Sequence, residues 1–125
     1  MAVIAVLDDV QDATILVQRI LGRKGHTVHP FTEEDDFFAH LRENHVDLAI
    51  LDIKLKKMSG VDVLEEAKKI TPGLRVLMLT GYPTLETAQR ALQLGADEYL
   101  VKPIDKHELE EKVAQVLADE AKGPG

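Results

Sequence analysis

Val46-Asp47-Leu48-Ala49-Ile50-Leu51-Asp52 is the stretch that decides the fold. All but one of positions 46–51 are aliphatic, and the run stops abruptly at a carboxylate. So short and so apolar a run reads as a strand covered on both faces, the habit of a parallel sheet sandwiched between helices. Val3-Ile4-Ala5-Val6-Leu7 reads the same way and stops at Asp8-Asp9.

Working outward, short apolar runs alternate with stretches of helical period, which predicts five strand–helix units on one sheet. Gln11 to Lys24 carries Ile15, Leu16, Ile20 and Leu21 on one stripe, with Gly25 where a helix would stop. Thr27 to Phe31 is a more polar strand suited to an edge. Thr32, with Asp35 three residues on, reads as the N-cap of a second helix whose apolar face is Phe37, Phe38 and Leu41. A third helix is expected over about Gly60 to Ile70, with Val61, Leu64 and Ala67 inward, closed by Thr71-Pro72-Gly73. Arg75 to Leu79 makes the fourth strand and ends at Thr80; Pro83-Thr84 opens a helix reaching about Leu94, before Gly95. Glu98 to Val101 is the fifth strand. Asp105 with Glu108 starts the last helix in the manner of a capping box, and Leu109, Val113, Val116 and Leu117 share its inner face. The expected architecture is α/β, a doubly wound parallel sheet with helices on both faces. One domain over residues 1–120 accounts for the pattern, and residues 121–125 read as a frayed tail or a linker stub.

The chain has 125 residues, 45% hydrophobic, which suits a single core. A formal net charge of -7 disfavours direct binding to nucleic acid or to anionic lipid. With no cysteine, neither a disulfide framework nor a thiolate metal site is available. The apolar N-terminus lacks a basic leader and runs straight into Asp8-Asp9, and no apolar run approaches the roughly 20 residues that span a bilayer, so a cytoplasmic location is expected.

In such a sheet every strand's carboxyl end lies on one edge, and ligands bind there, where strand order reverses. Asp8, Asp9, Asp52, Thr80 and Lys102 all stand just past the apolar runs. Each alone has a plainer reading: Asp8-Asp9 as a turn or cap, Thr80 as a strand end, Lys102 as a solvated cation. Together they place three carboxylates, a hydroxyl and an ammonium at one edge. Crowded carboxylates need a cation, and a hard ion such as Mg²⁺, which takes oxygen ligands and a substrate phosphate, answers that need. An additional ammonium is useful once a further anion arrives, so the set anticipates a phosphoryl group. Asp52 ends the most apolar strand and is the best-held nucleophile candidate.

The Asp8-Asp9 pair, the 46–52 strand, Met58-Ser59-Gly60, Leu79-Thr80-Gly81-Tyr82, Gly95-Ala96-Asp97-Glu98-Tyr99-Leu100 and Val101-Lys102-Pro103 occur in an order and spacing that resembles the receiver domains of two-component response regulators, from Val3 to about Ala118. The resemblance implies a flavodoxin-like fold of strand order 2-1-3-4-5 that takes a phosphoryl group from the phosphohistidine of a sensor histidine kinase or phosphotransfer protein. It matches Asp52 to the phosphoacceptor, and Asp8, Asp9, Asp52 and the Lys54 backbone carbonyl to the ligands of Mg²⁺, with Mn²⁺ as a substitute. Thr80 and Lys102 match the groups that bind the phosphate, Thr80 and Tyr99 the switch pair, and Pro103 a proline often preceded by a cis bond. Lys54 and Tyr82 fall where the family tunes access of hydrolytic water. Tyr99 also has an even-handed reading as ordinary edge-strand packing. Lys56 departs from the pattern, standing where the family usually has proline.

The leading expectation is therefore a phosphorylation switch that catalyses only its own modification and passes the signal to a downstream effector domain or protein. The fourth helix, fifth strand and fifth helix are its expected output face, and could also pair two copies as a homodimer. The sequence leaves open a stand-alone domain or a module of a longer protein. The competing readings are an interaction module without the chemistry, and an aspartyl-nucleophile phosphatase. The second fits poorly, since Val10 occupies the place two after Asp8 where a general acid would stand. His26, His29, His40, His45 and His107 lack metal-ligand spacing and receive no role.

Overall fold

The computed structural model describes residues 1–118, so the tail over 121–125 lies outside the described residues. Five strands form one parallel sheet in the order β2-β1-β3-β4-β5. They are β1 (Val3–Leu7), β2 (Thr27–Phe31), β3 (Leu48–Leu51), β4 (Arg75–Thr80) and β5 (Glu98–Val101), alternating with α1 (Gln11–Gly22), α2 (Glu34–Glu43), α3 (Gly60–Ile70), α4 (Leu85–Gln93) and α5 (Lys106–Ala118). This is the doubly wound, flavodoxin-like arrangement expected from the alternation. No helix among the described residues is long and apolar enough to cross a membrane.

Period-two alternation along β3 divides the core into two halves. Ala49 and Leu51 join Phe37, Phe38 and Leu41 of α2, Val63, Leu64 and Ala67 of α3, and Ala91 of α4. Leu48 and Ile50 join Val17, Ile20 and Leu21 of α1, and Leu109, Val113 and Val116 of α5. All four β3 residues are buried, which is why the strand reads as unbroken apolar sequence.

Several boundaries differ from the sequence expectation. The β3 strand is bounded at Leu48 rather than Val46, and ahead of it Asp47 meets Val3 twice, its amide donating to the Val3 carbonyl and its carboxylate accepting the Val3 amide, both at 2.8 Å. The α1 helix closes at Gly22, three residues before Gly25, which sits at φ +92 in a turn where the His26 amide donates to the Leu21 carbonyl at 3.2 Å. At α2 the N-cap position falls to Glu33, with no side-chain cap bond, rather than to Thr32. Elsewhere the caps follow the sequence: Thr84 accepts the Thr87 amide, and Asp105 the Glu108 amide.

Gly60 fixes how closely α3 approaches β3. A Cβ there would lie 1.8 Å from the Asp52 carbonyl oxygen, deep inside any allowed contact. The Gly60 amide also donates to the Ile53 carbonyl at 2.7 Å. Replacing Gly60 by Ala should therefore cost about 3 kcal/mol or more of unfolding free energy, the scale of a large steric disruption. Gly22 makes the contrast, since nothing lies within 4 Å of a Cβ added there. Gly22→Ala should be neutral or stabilising by about 0.5 kcal/mol. Urea unfolding of the two variants beside the parent checks both signs.

Candidate functional site

Reversal of strand order between β1 and β3 leaves a crevice at their carboxyl ends, and the apolar strands deliver Asp8, Asp9 and Asp52 into it. One carboxylate oxygen from each lies within 4.8 Å of the other two. Asp8 and Asp52 are buried, and Asp9 is half-buried. The adjoining cavity, about 500 Å³, is lined by Asp9, Asp52, Lys54, Gly81, Tyr82 and Lys102. A larger groove of about 740 Å³ opens at the opposite end of the sheet, past Ala2, Asp47 and Arg75, away from this cluster.

Lys102 enters from the end of β5. Its ammonium donates to Asp8 Oδ2 at 2.6 Å and to Asp52 Oδ2 at 3.1 Å, so one cation bridges two strands. The preceding Lys102 amide is anchored on the Thr80 carbonyl at 2.8 Å, and the Lys102–Pro103 bond is cis. The other oxygens are held by main chain. Asp8 Oδ1 accepts the Val10 amide at 2.9 Å, the local turn that short acids favour. Asp52 Oδ1 accepts the Ile53 amide at 2.7 Å, with the Lys54 amide at 3.4 Å. That last contact puts the Lys54 peptide beside the cluster.

One ammonium does not neutralise three carboxylates. Burial pushes the Asp8 carboxyl above its ordinary value, and the negative charge of Asp52 adds to the rise; the hydrogen bonds from Lys102 and Val10 and the charge of Lys102 pull the other way without cancelling it. Burial alone would lower the Lys102 ammonium, but the bonds and charges of Asp8 and Asp52 outweigh it and hold the group above its ordinary value. The site thus retains an ammonium firmly and still has negative charge to spare.

The remaining expected residues are placed differently. Thr80 is fully buried at the end of β4, and its hydroxyl accepts the Tyr82 amide at 3.0 Å. Tyr99 packs partly against the core, and its hydroxyl lies 3.4 Å from Thr87 Oγ1 on α4 rather than at Thr80. The Lys54 ammonium stands 4.3 Å from the centre of the Tyr82 ring, a cation–π contact at the mouth of the cavity. None of the sequence signals pointed to Glu34. It is buried, yet it belongs to the acidic run Glu33-Glu34-Asp35-Asp36, where nothing in residue type separates it from its solvated neighbours.

Comparison with known proteins converges on one family. The sequence pattern of the response regulator receiver domain matches residues 4–114. The transcriptional regulatory protein ZraR of Salmonella typhimurium is 36% identical over 116 residues, covering 93% of this chain and 26% of that protein. The chain thus spans about a quarter of the length of the curated relatives it matches first. Among solved structures, a CheY-like receiver domain protein from Methanospirillum hungatei superposes with a TM-score of 0.92 at 33% identity, covering 98% of both chains. A response regulator protein from Burkholderia pseudomallei, solved with a phosphorylated aspartic acid, a calcium ion and citrate, superposes with a TM-score of 0.84 at 27% identity, covering 97% of this chain and 69% of that one. The chain belongs to the response regulator receiver domain family, the regulatory domains of two-component signalling.

Proposed function

We propose that Asp52 accepts a phosphoryl group from the phosphohistidine of a sensor histidine kinase or phosphotransfer protein. The observation that carries this reading is the pairing of Asp52 with Lys102 inside a carboxylate cluster that remains short of positive charge. Main-chain amides fix Asp52 Oδ1, which sets the plane of the carboxylate and leaves Oδ2, beside Lys102, as the edge offered to the donor. A new O–P bond would form as the N–P bond of the donor breaks, with its electron pair returning to the imidazole nitrogen. Lys102 would then turn from the carboxylates to the phosphoryl oxygens, and the Thr80 hydroxyl would donate to one of them once released from the Tyr82 amide. The product is an acyl phosphate on the protein itself, a regulatory mark rather than a released product.

The donor set is all hard oxygen, which fits Mg²⁺, with Mn²⁺ as a substitute, and does not fit a softer metal. Asp8, Asp9, Asp52 and the Lys54 carbonyl would hold the ion. When bound, it supplies positive charge that offsets the crowded carboxylates and the incoming phosphate. The ion-holding carboxylates sit at strand ends, where the sheet orders them before any ligand arrives.

Readout is proposed at the face formed by α4, β5 and α5. Leu85 and Leu92 on α4 and Val101 on β5 are exposed there, at 75, 60 and 46%. Tyr99, held now by Thr87, is the residue through which a displaced Thr80 could be sensed. A downstream effector domain or protein would dock on this face, or a second copy of the chain would form a homodimer through it. The relative ZraR is a transcriptional regulator, in keeping with an effector as the next step.

Incubation with a small phosphodonor and Mg²⁺, followed by intact-mass measurement, should add one phosphoryl group to the parent and none to Asp52→Asn. Unlabelled parent, or a variant labelled as fully as the parent, would sink the assignment.

A second outcome follows from the raised Asp8 carboxyl. The folded chain binds that proton more tightly than the unfolded chain, so the proton's stabilising contribution is complete below the ordinary carboxylate value and is lost as pH rises through the raised one. Ionisation of Asp8 is therefore a burden on the fold. Asp8→Asn should be more stable than the parent at neutral pH, with the gain shrinking towards about pH 4, while Mg²⁺-dependent labelling falls. Urea unfolding at both pH values, beside the labelling assay, reads the trade; a variant less stable than the parent at neutral pH contradicts it.

A further inference from the structure

We infer that Glu34 is a positioning residue for the phosphoacceptor site, acting through the loop that joins β3 to α3. This inference rests on the function proposed above. Glu34 is the first residue of α2, only 1% exposed, and its carboxylate serves no bond of its own helix that would explain the burial. One oxygen, Oε2, instead accepts the Lys57 amide at 2.8 Å and the Met58 amide at 3.2 Å. Hydrogen bonds to a carboxylate are stronger than neutral ones, and burial makes their loss more costly.

The loop 53–59 is thereby tied at two acids. At its start, Asp52 Oδ1 takes the Ile53 and Lys54 amides; near its end, Glu34 takes those of Lys57 and Met58. The Lys54 peptide, whose carbonyl is the proposed main-chain metal ligand, hangs between these anchors. Nothing in the loop sequence stiffens it, since Ile53-Lys54-Leu55-Lys56-Lys57-Met58 contains no proline. Leu55 and Met58 pack against the core only in part. The nearby Lys57–Asp35 ion pair, at 3.2 Å between groups 58 and 80% exposed, is solvated and contributes little. Glu34 is thus the buried group that converts a proline-free loop into a fixed one. Groups that orient a metal ligand from behind commonly change metal affinity or activity by about 10- to 100-fold when removed.

The experiment compares the parent chain with Glu34→Ala and Glu34→Gln. Mg²⁺ affinity is measured by calorimetric titration, labelling rate with a small phosphodonor, and amide hydrogen exchange at Lys57 and Met58. Glu34→Ala should bind Mg²⁺ about tenfold more weakly, label more slowly and lose protection at both amides. Glu34→Gln keeps an oxygen acceptor in the same place and should stay close to the parent. A purely structural role would lower the melting temperature while leaving the Mg²⁺ affinity and labelling rate of the folded chain unchanged, and that result overturns the inference. If the Ala variant does not fold, Glu34→Asp, which keeps the charge but withdraws it by one methylene, takes its place with the same two outcomes. A parent chain that neither binds Mg²⁺ nor labels overturns the functional reading and this inference with it; a competent parent with indifferent variants overturns this inference alone.

Discussion

Repulsion among Asp8, Asp9 and Asp52 is the constraint around which the molecule is organised. Their oxygens are gathered within 4.8 Å, and the single ammonium of Lys102 reaches only Asp8 and Asp52. A site left in this state works against the stability of its own fold: burial first, and the Asp52 charge to a smaller extent, hold the Asp8 carboxyl above its ordinary value. Such a cluster persists because the surrounding structure over-determines it. In the function proposed above, its unmet negative charge would make it receptive first to a divalent cation and then, with the cation present, to a phosphoryl group.

The fold supplies the over-determination largely through backbone. Four parallel ladders fix where β1 and β3 end, so Asp8 and Asp52 cannot drift apart without breaking the sheet. The α3 helix comes so close behind β3 that only glycine fits at position 60. Main-chain amides at Val10, Ile53 and Lys54 aim the carboxylates, and Glu34 holds the far end of the same loop. On the opposite side, α4 buries only Ala91 completely and exposes Leu85 and Leu92. A rigid centre next to a lightly anchored helix is a fitting layout for a switch, because a small change at Thr80 has an element nearby that can move.

Much of this was legible in the sequence for identifiable reasons. Strands buried on both faces cannot alternate, so β1 and β3 stand out as continuous apolar runs, and the polar residues that stop them become conspicuous. The five residues at the strand ends stand out by position, and their chemistry is distinctive only as a set. What stayed hidden depended on where side chains turn. The Asp47 carboxylate bonds the Val3 amide across 44 residues of chain, a long-range choice with no local signal. Glu34 hides in an acidic run, and its role appears only when α2 is packed against the loop 23 residues later. The Tyr99 hydroxyl meets Thr87 because α4 lies beside β5, a proximity that spacing along the chain does not encode.

The central claim is that the phosphoryl group resides on Asp52 and not on the neighbouring acids, and locating the modified carbon tests it most directly. Borohydride reduction of the labelled chain converts an aspartyl phosphate to homoserine, whose position peptide mass spectrometry can read. The account predicts homoserine at position 52 alone. Homoserine at position 8 or 9, or a labelled chain that yields none, would contradict it.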